Sequence, residues 1–160
     1  MFIRNDHSAN MGHQITAIVT ALPIDERKAQ EFDLPVLIEN GYAIVGLDVA
    51  HTDYWTDRLN FPDDDDDRQI ILDCLITHYF ARALGITRYA IIHTDYLGGV
   101  GEQFAVVYED DRAIMATAAG AINLALRLIG VKCLPGLDEF DSLNLAKYRH
   151  FDRYFEKYWR

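Results

Sequence analysis

Apolar positions along this chain change rhythm several times, and the changes mark out its elements. From Ile15 to Leu22 the run Ile-Thr-Ala-Ile-Val-Thr-Ala-Leu is rich in β-branched residues and predicts a strand, which Pro23 ends. Asp25 is placed to cap a short helix running to about Phe32, limited by Pro35. A second apolar run, Pro35 to Glu39, precedes Asn40-Gly41, a hairpin signal, and Tyr42 to Ala50 reads as the returning strand. His51 to Asp67 is polar and aromatic and reads as a loop. It ends in Pro62 and the aspartates 63–67, whose charge suits the N-terminus of a following helix better than a calcium loop. Arg68 to Leu84 is apolar on nearly every side, as a central buried helix is, with Gly85 as its stop.

Tyr89 to Tyr96 and Phe104 to Tyr108 predict a hairpin joined by a wide glycine-rich turn over 97–103. Arg112 to Gly130 is alanine-rich, with Ile114, Met115, Ile122, Leu126 and Ile129 at helical spacing. It predicts a second helix, capped by Glu109-Asp110-Asp111. Lys132 to Leu137 reads as a short strand or loop. Leu143 to Trp159 reads as an amphipathic C-terminal helix with an aromatic stripe. Strands therefore come in hairpins. The fold class expected is α+β, a mainly antiparallel sheet of four to six strands packed against two buried helices and the C-terminal helix. Residues 1–13 are polar and aperiodic, so a loose N-terminus is expected before one domain over 14–160, with Met11 as a possible alternative start.

Composition narrows the class. The chain has 160 residues, half of them hydrophobic, enough for one buried core. No apolar run is long enough to span a bilayer, and the first residues lack the order of a signal peptide, so a cytoplasmic protein is expected. Cys74 and Cys133 are expected to be buried free thiols. The net charge of −10 repels nucleic acid and anionic lipid and favours a basic partner, besides serving solubility.

Three features carry candidate chemistry. His51-Thr52-Asp53-Tyr54 recurs as His93-Thr94-Asp95-Tyr96. On extended chain each copy offers an imidazole and a carboxylate on one side. His51, Asp53, His93 and Asp95 would then make a site for a divalent transition metal such as zinc, iron or manganese, and a small metal-dependent enzyme. The flanks do not align, and the plainer reading is local hydrogen bonding with no cofactor. Gly98, Gly99 and Gly101, with Glu102, form a loop whose backbone could cradle an anion or admit a partner's backbone. It leads into a strand and matches no phosphate-binding pattern, so turn geometry accounts for it as well. In the C-terminal segment, residues 138–160 carry equal numbers of acids and bases, so the whole −10 lies in 1–137. Its aromatics exceed what one buried face needs, which makes Tyr148, Tyr154 and Trp159 candidates for a protein contact or a homodimer surface. GxSxG, HExxH and SxxK motifs are absent, and His78 reads as a hydrogen-bonded core histidine.

The run Asp95-Tyr96-Leu97-Gly98-Gly99-Val100-Gly101-Glu102-Gln103, with Ile122-Asn123 through Gly130-Val131 and then Asp138-Glu139-Phe140, resembles small bacterial proteins, among them immunity partners of polymorphic toxins. The resemblance covers roughly the last 65 residues. It implies a stoichiometric protein binder and carries over no catalytic residue.

Overall fold

A computed structural model describes residues 12–63 and 70–159. Six strands form one antiparallel sheet: β1 (Thr16–Ala21), β2 (Val36–Glu39), β3 (Tyr42–Gly46), β4 (Arg88–Leu97), β5 (Val100–Glu109) and β6 (Arg112–Ala119). Their order across the sheet is β2-β3-β1-β4-β5-β6. The helices are α1 (Glu26–Glu31), α2 (Val49–Arg58), α3 (Leu75–Ala83), α4 (Ile122–Leu128), α5 (Glu139–Ser142) and α6 (Asp152–Phe155). The α+β class and the hairpin-built antiparallel sheet stand as the sequence indicates.

Each hairpin closes through a two-residue turn with positive φ at both positions: Asn40 and Gly41, Gly98 and Gly99, Asp110 and Asp111. Such turns match the natural twist of the flanking strands. The turn after β4 is thus tight, where a wide one was expected, and both its glycines have a conformational use. Asp110-Asp111 closes a hairpin instead of capping a helix. Two non-glycine residues in the left-handed region carry strain, so the double substitution Asp110→Asn, Asp111→Gly should stabilise the protein by about 1 kcal/mol, read as a higher Tm.

The sheet is the middle of three layers. On one face Ile18, Val45, Ile91 and Val106 pack against Ala29 of α1 and against Ile76 and Phe80 of α3. On the other, Val19, Ile44, Ile92 and Val107 pack against Leu126 of α4 and the C-terminal Leu143, Leu145, Phe151 and Phe155. Burial on both faces explains why β1 and β4 read as continuous apolar runs.

Several elements differ from the sequence expectation. The segment read as a strand end and loop holds α2, capped by the Asp48 side chain accepting from the His51 N–H at 3.2 Å. The helix expected over 68–84 begins at Leu75, with Cys74 as its cap residue. The aspartates 64–67 lie outside the described residues, so their capping role does too. The helix expected over 112–130 is β6, a turn at Gly120 (φ +66°) and the short α4. The single helix expected over 143–159 is a chain of short turns around α6. Gly12 and His13 belong to the folded body: His13 is buried and bridges Tyr96 through paired backbone hydrogen bonds of 2.9 and 3.0 Å. Both cysteines are free, but Cys133 is exposed where burial was expected; Glu139, beside it, pushes its thiol pKa up. No helix among the described residues is long and apolar enough to cross a membrane.

Candidate functional site

The two His-Thr-Asp-Tyr words fold differently. The first lies in α2 and the second in β4. His51 is fully buried. Its Nε2–H donates to the Phe32 carbonyl at 2.6 Å, and its ring packs edge-on against Tyr158 and beside Phe155 and Phe80. Nδ1 is left without a partner among the described residues. Asp53 is exposed on α2. His93 pairs its Nδ1 with the Thr16 hydroxyl at 2.8 Å, and Asp95 is exposed. The described residues contain no group of three or more His, Cys, Asp or Glu side chains arranged to hold a metal ion. The four predicted ligands are therefore not gathered into one site. The geometric reason is that i and i+2 share a side only on extended chain, and α2 turns His51 inward and Asp53 outward.

His78 is the hydrogen-bonded core histidine expected. Its Nε2 meets Asp73 Oδ1 at 2.7 Å and its Nδ1 meets the Tyr89 hydroxyl, while the Tyr108 hydroxyl reaches both Asp73 oxygens at 2.9 Å. This network joins α3 to β4 and β5.

The predicted C-terminal contact residues are largely tied to the fold. Tyr148 donates its hydroxyl to Glu39, which also holds Lys147 at 2.8 Å and Asn144 at 2.8 Å. These bonds hold the Glu39 carboxyl below its usual range against the opposing effect of burial. Tyr154 is half-buried and lies under the Arg153 guanidinium. Trp159 is exposed, with its indole N–H 3.3 Å from Asp48.

One convergence of polar groups was not seen in the sequence. A cleft of about 430 Å³ opens on the α4 face of the sheet, between the tip of the β4–β5 hairpin, the 12–13 bridge and the 138–149 segment. Its walls include His13, Thr94, Gln103, Asn123, Asp138 and Arg149, with Phe140 and Tyr96 supplying aromatic surface. Hydrogen-bond logic fixes the floor. The Leu145 carbonyl can only accept, so His13 Nε2 carries the proton and donates at 2.9 Å. Nδ1 then accepts from the Thr94 hydroxyl at 2.7 Å, and Thr94 accepts from the Ile15 N–H at 3.1 Å. Burial, followed by the nearby Arg149 charge, lowers the His13 pKa against the opposing Leu145 bond, so the ring is neutral near pH 7. Of the predicted site residues only Gly99 lines this cleft. The other residues of the lining, among them Tyr96, Gln103, Asn123, Asp138 and Phe140, come from separate segments that no single motif joins.

The opposite face of the same hairpin carries the most exposed apolar pair among the described residues. Leu97 is 65% and Val100 79% exposed, and they stand directly across from each other. Next along the ladder Asp95 stands opposite Glu102, on the same side and also exposed. The outer strand β6 is exposed along most of its length on both faces, with only Met115 partly covered. Compared with known protein families, with curated proteins and with solved structures, the chain finds no match in any of the three.

Proposed function

We propose that this chain is a non-catalytic protein-binding protein that presents the tip of its β4–β5 hairpin to a basic partner, in the manner of the immunity proteins its sequence resembles. The observation that carries the reading is the quartet Asp95, Leu97, Val100 and Glu102 on one side of an exposed hairpin. Directly opposed carboxylates are unfavourable in an antiparallel pair, and exposed apolar side chains at a turn stabilise nothing in the free chain. A partner offering an apolar pocket ringed by Lys or Arg would relieve both, and the net charge of −10 would speed its approach.

A photo-crosslinking residue at Val100 tests this in the cells that make the protein, with one at exposed Glu26 as control. The expected result is one stoichiometric basic protein captured from Val100 and not from Glu26, whose reconstituted complex is lost with Leu97→Asp plus Val100→Asp. Binding should weaken with salt, and Asp95→Lys should slow association by about tenfold. Capture only of the chain itself, or of nothing, would remove the hairpin reading.

The β6 edge supports a second reading, self-association. Apart from Arg112 at its start the strand is uncharged, and an antiparallel pairing of two copies about its centre sets Arg112 opposite Ala119. Two bulges, where β6 carries extra residues against Ala105–Val107 and Val107–Tyr108, bend this edge and limit how long such a pairing runs. Native mass spectrometry should then show a dimer that Ile114→Lys reduces to monomer.

A further inference from the structure

We infer that a second cavity, at the start of β1, receives the side chain of a lysine or arginine from the basic partner proposed for the hairpin tip. The inference rests on that reading and says where the partner's charge goes. The cavity holds about 240 Å³ between the first residues of β1, the 47–49 turn ahead of α2 and the 151–155 turns. Sites for free organic ligands run to roughly 300–1,000 Å³, so this one suits a single long side chain. Leu47, Leu72 and Phe155 offer apolar wall to its stem.

The polar groups of this wall are acceptors that meet no lysine or arginine. Asp48 accepts from the His51 N–H at 3.2 Å and from the Trp159 indole N–H at 3.3 Å, both neutral donors. Asp152 Oδ2 lies 3.5 Å from His150 Nδ1, and its Oδ1 accepts from no described residue. Gln14 donates its amide N–H to Asp95 at 3.4 Å, and its Oε1 is likewise uncommitted among the described residues. His93, also in the wall, is kept neutral near pH 7 by burial, against the opposing charges of Asp95 and Glu102. No Lys or Arg is among the described residues of the lining. Elsewhere the fold supplies one: Glu39 holds Lys147 at 2.8 Å and Glu139 holds Arg127 at 3.0 Å. Asp48, Asp152 and His93 are not arranged to hold a metal ion, so the cation they fit is an organic one. A charged N–H donor on an apolar stem answers both the acceptors and the walls.

The cavity and the hairpin tip lie on one face. His93, Asp95 and Leu97 alternate onto the same side of β4, and Gln14 joins the cavity wall to Asp95. Four residues separate His93 from Leu97, about 13 Å along the strand. One partner of ordinary interface size spans that distance. A partner seated on Leu97 and Val100 thus passes the Asp95–Glu102 pair and places a basic side chain at the cavity.

NMR titration of the full chain with the N-acetyl amides of arginine and lysine tests the cavity, with that of norleucine as the neutral counterpart. The signals to follow are the backbone amides of Leu47 and Val49 and the Trp159 indole N–H. Asp48→Asn keeps an oxygen that caps α2, and Asp152→Asn changes a side chain that is 55% exposed, so both variants should melt near the parent Tm. The expected result is saturable binding of at least one cation at millimolar concentration, about threefold weaker in each variant and about tenfold weaker in the double variant, with no saturable response to norleucine. No saturable shift with either cation, equal binding of the norleucine amide, or binding indifferent to both folded variants would each overturn the inference. The complex with the basic protein captured from Val100 should also weaken about tenfold with Asp48→Asn plus Asp152→Asn, and a complex indifferent to that pair would overturn the cavity's part in it. Failure of the hairpin reading shows separately, because Leu97→Asp plus Val100→Asp should abolish the complex and leave the response to the small cations intact.

Discussion

Gly101→Ala will destabilise the protein by at least about 3 kcal/mol, far more than alanine at Gly99 in the same hairpin. Gly101 stands opposite Tyr96 where β4 is paired on both sides, by β5 and by the bridge from His13. A Cβ at Gly101 would lie 1.9 Å from the Asp95 carbonyl oxygen and 2.7 Å from Tyr96 Cα. Those are backbone atoms held in a ladder, so no side-chain rotation relieves the clash. The strand must move, and Tyr96 and the cleft move with it. Gly12 guards the other flank: its Cβ would come within 2.1 Å of the Tyr96 oxygen, and its φ of +75° adds conformational strain. Gly99 is different, because its φ of +82° is the whole difficulty and nothing lies within 4 Å of an added Cβ. Alanine there should cost about 1 kcal/mol. At this chain length 1 kcal/mol shifts Tm by about 2–4 °C, so thermal melts separate the two cases easily. Equal shifts for Gly101→Ala and Gly99→Ala would show that close backbone approach is not what position 101 requires.

The elements that were legible in the sequence are those whose signals are local. Pro23, Asp25, Pro35 and Asn40-Gly41 each act within a few residues, and β1, α1, β2 and β3 follow them closely. The segment 112–130 failed because its local preference and its tertiary context disagree. Alanine favours helix, and Ile114, Met115, Ile122 and Leu126 fall at helical spacing, yet β6 forms because β5 offers an unpaired edge two residues away. Gly120 was the overlooked mark, since a helix interior tolerates glycine poorly and this one takes a left-handed turn. The repeated word His-Thr-Asp-Tyr makes the same point from the other side. After Asp48 it continues a capped helix, and after Ile91-Ile92 it continues a buried strand, so its meaning comes from its neighbours.

The cleft was hidden for another reason. His13, Thr94, Gln103, Asn123 and Arg149 are far apart in the chain and meet only when the sheet brings β4 and β5 against α4 and the C-terminal turns. No periodicity encodes that meeting. The hairpin tip was half legible: the glycines and Glu102 stood out in sequence, but the pairing of Leu97 with Val100 and of Asp95 with Glu102 depends on a register set by the tight turn. The C-terminal aromatics stood out in the sequence, and part of the stripe seals the core as its spacing suggested. Phe151 and Phe155 fill the core below β1 and β3, and Tyr158 closes over His51.

Acid should unfold this protein well above the carboxylate range. His13, His51 and His93 each have a pKa held down chiefly by burial. The unfolded chain titrates its histidines near pH 6.5. Below that value the unfolded state binds protons that the folded state does not, so stability is full above about pH 7 and falls as pH drops through 6.5 toward the folded values. Each such proton contributes a slope of about 1.4 kcal/mol per pH unit, and three acting together set a limit of about 4 kcal/mol per unit. His51 has the strongest structural reason for its share: a charge there would sit in a box of Phe80, Phe155 and Tyr158, with Nδ1 meeting no acceptor among the described residues. The carboxylates do not mask the effect. Asp33, Glu39 and Glu139 have lowered values and lose their contribution only at lower pH, through their own folded pKa values. Asp53, raised by burial and then by Asp57 and Asp48, works in the opposite sense but also near the carboxylate range. Urea unfolding at about pH 7.5, 6.5 and 5.5 should show little change over the first step and a steep loss over the second. His51→Gln, whose amide can still donate to Phe32, should lower the folding free energy at pH 7.5 and shallow the acid slope by about one proton. A stability that stays level down to pH 5.5 would mean that these rings take up protons in place, and that the aromatic box around His51 opens to admit one.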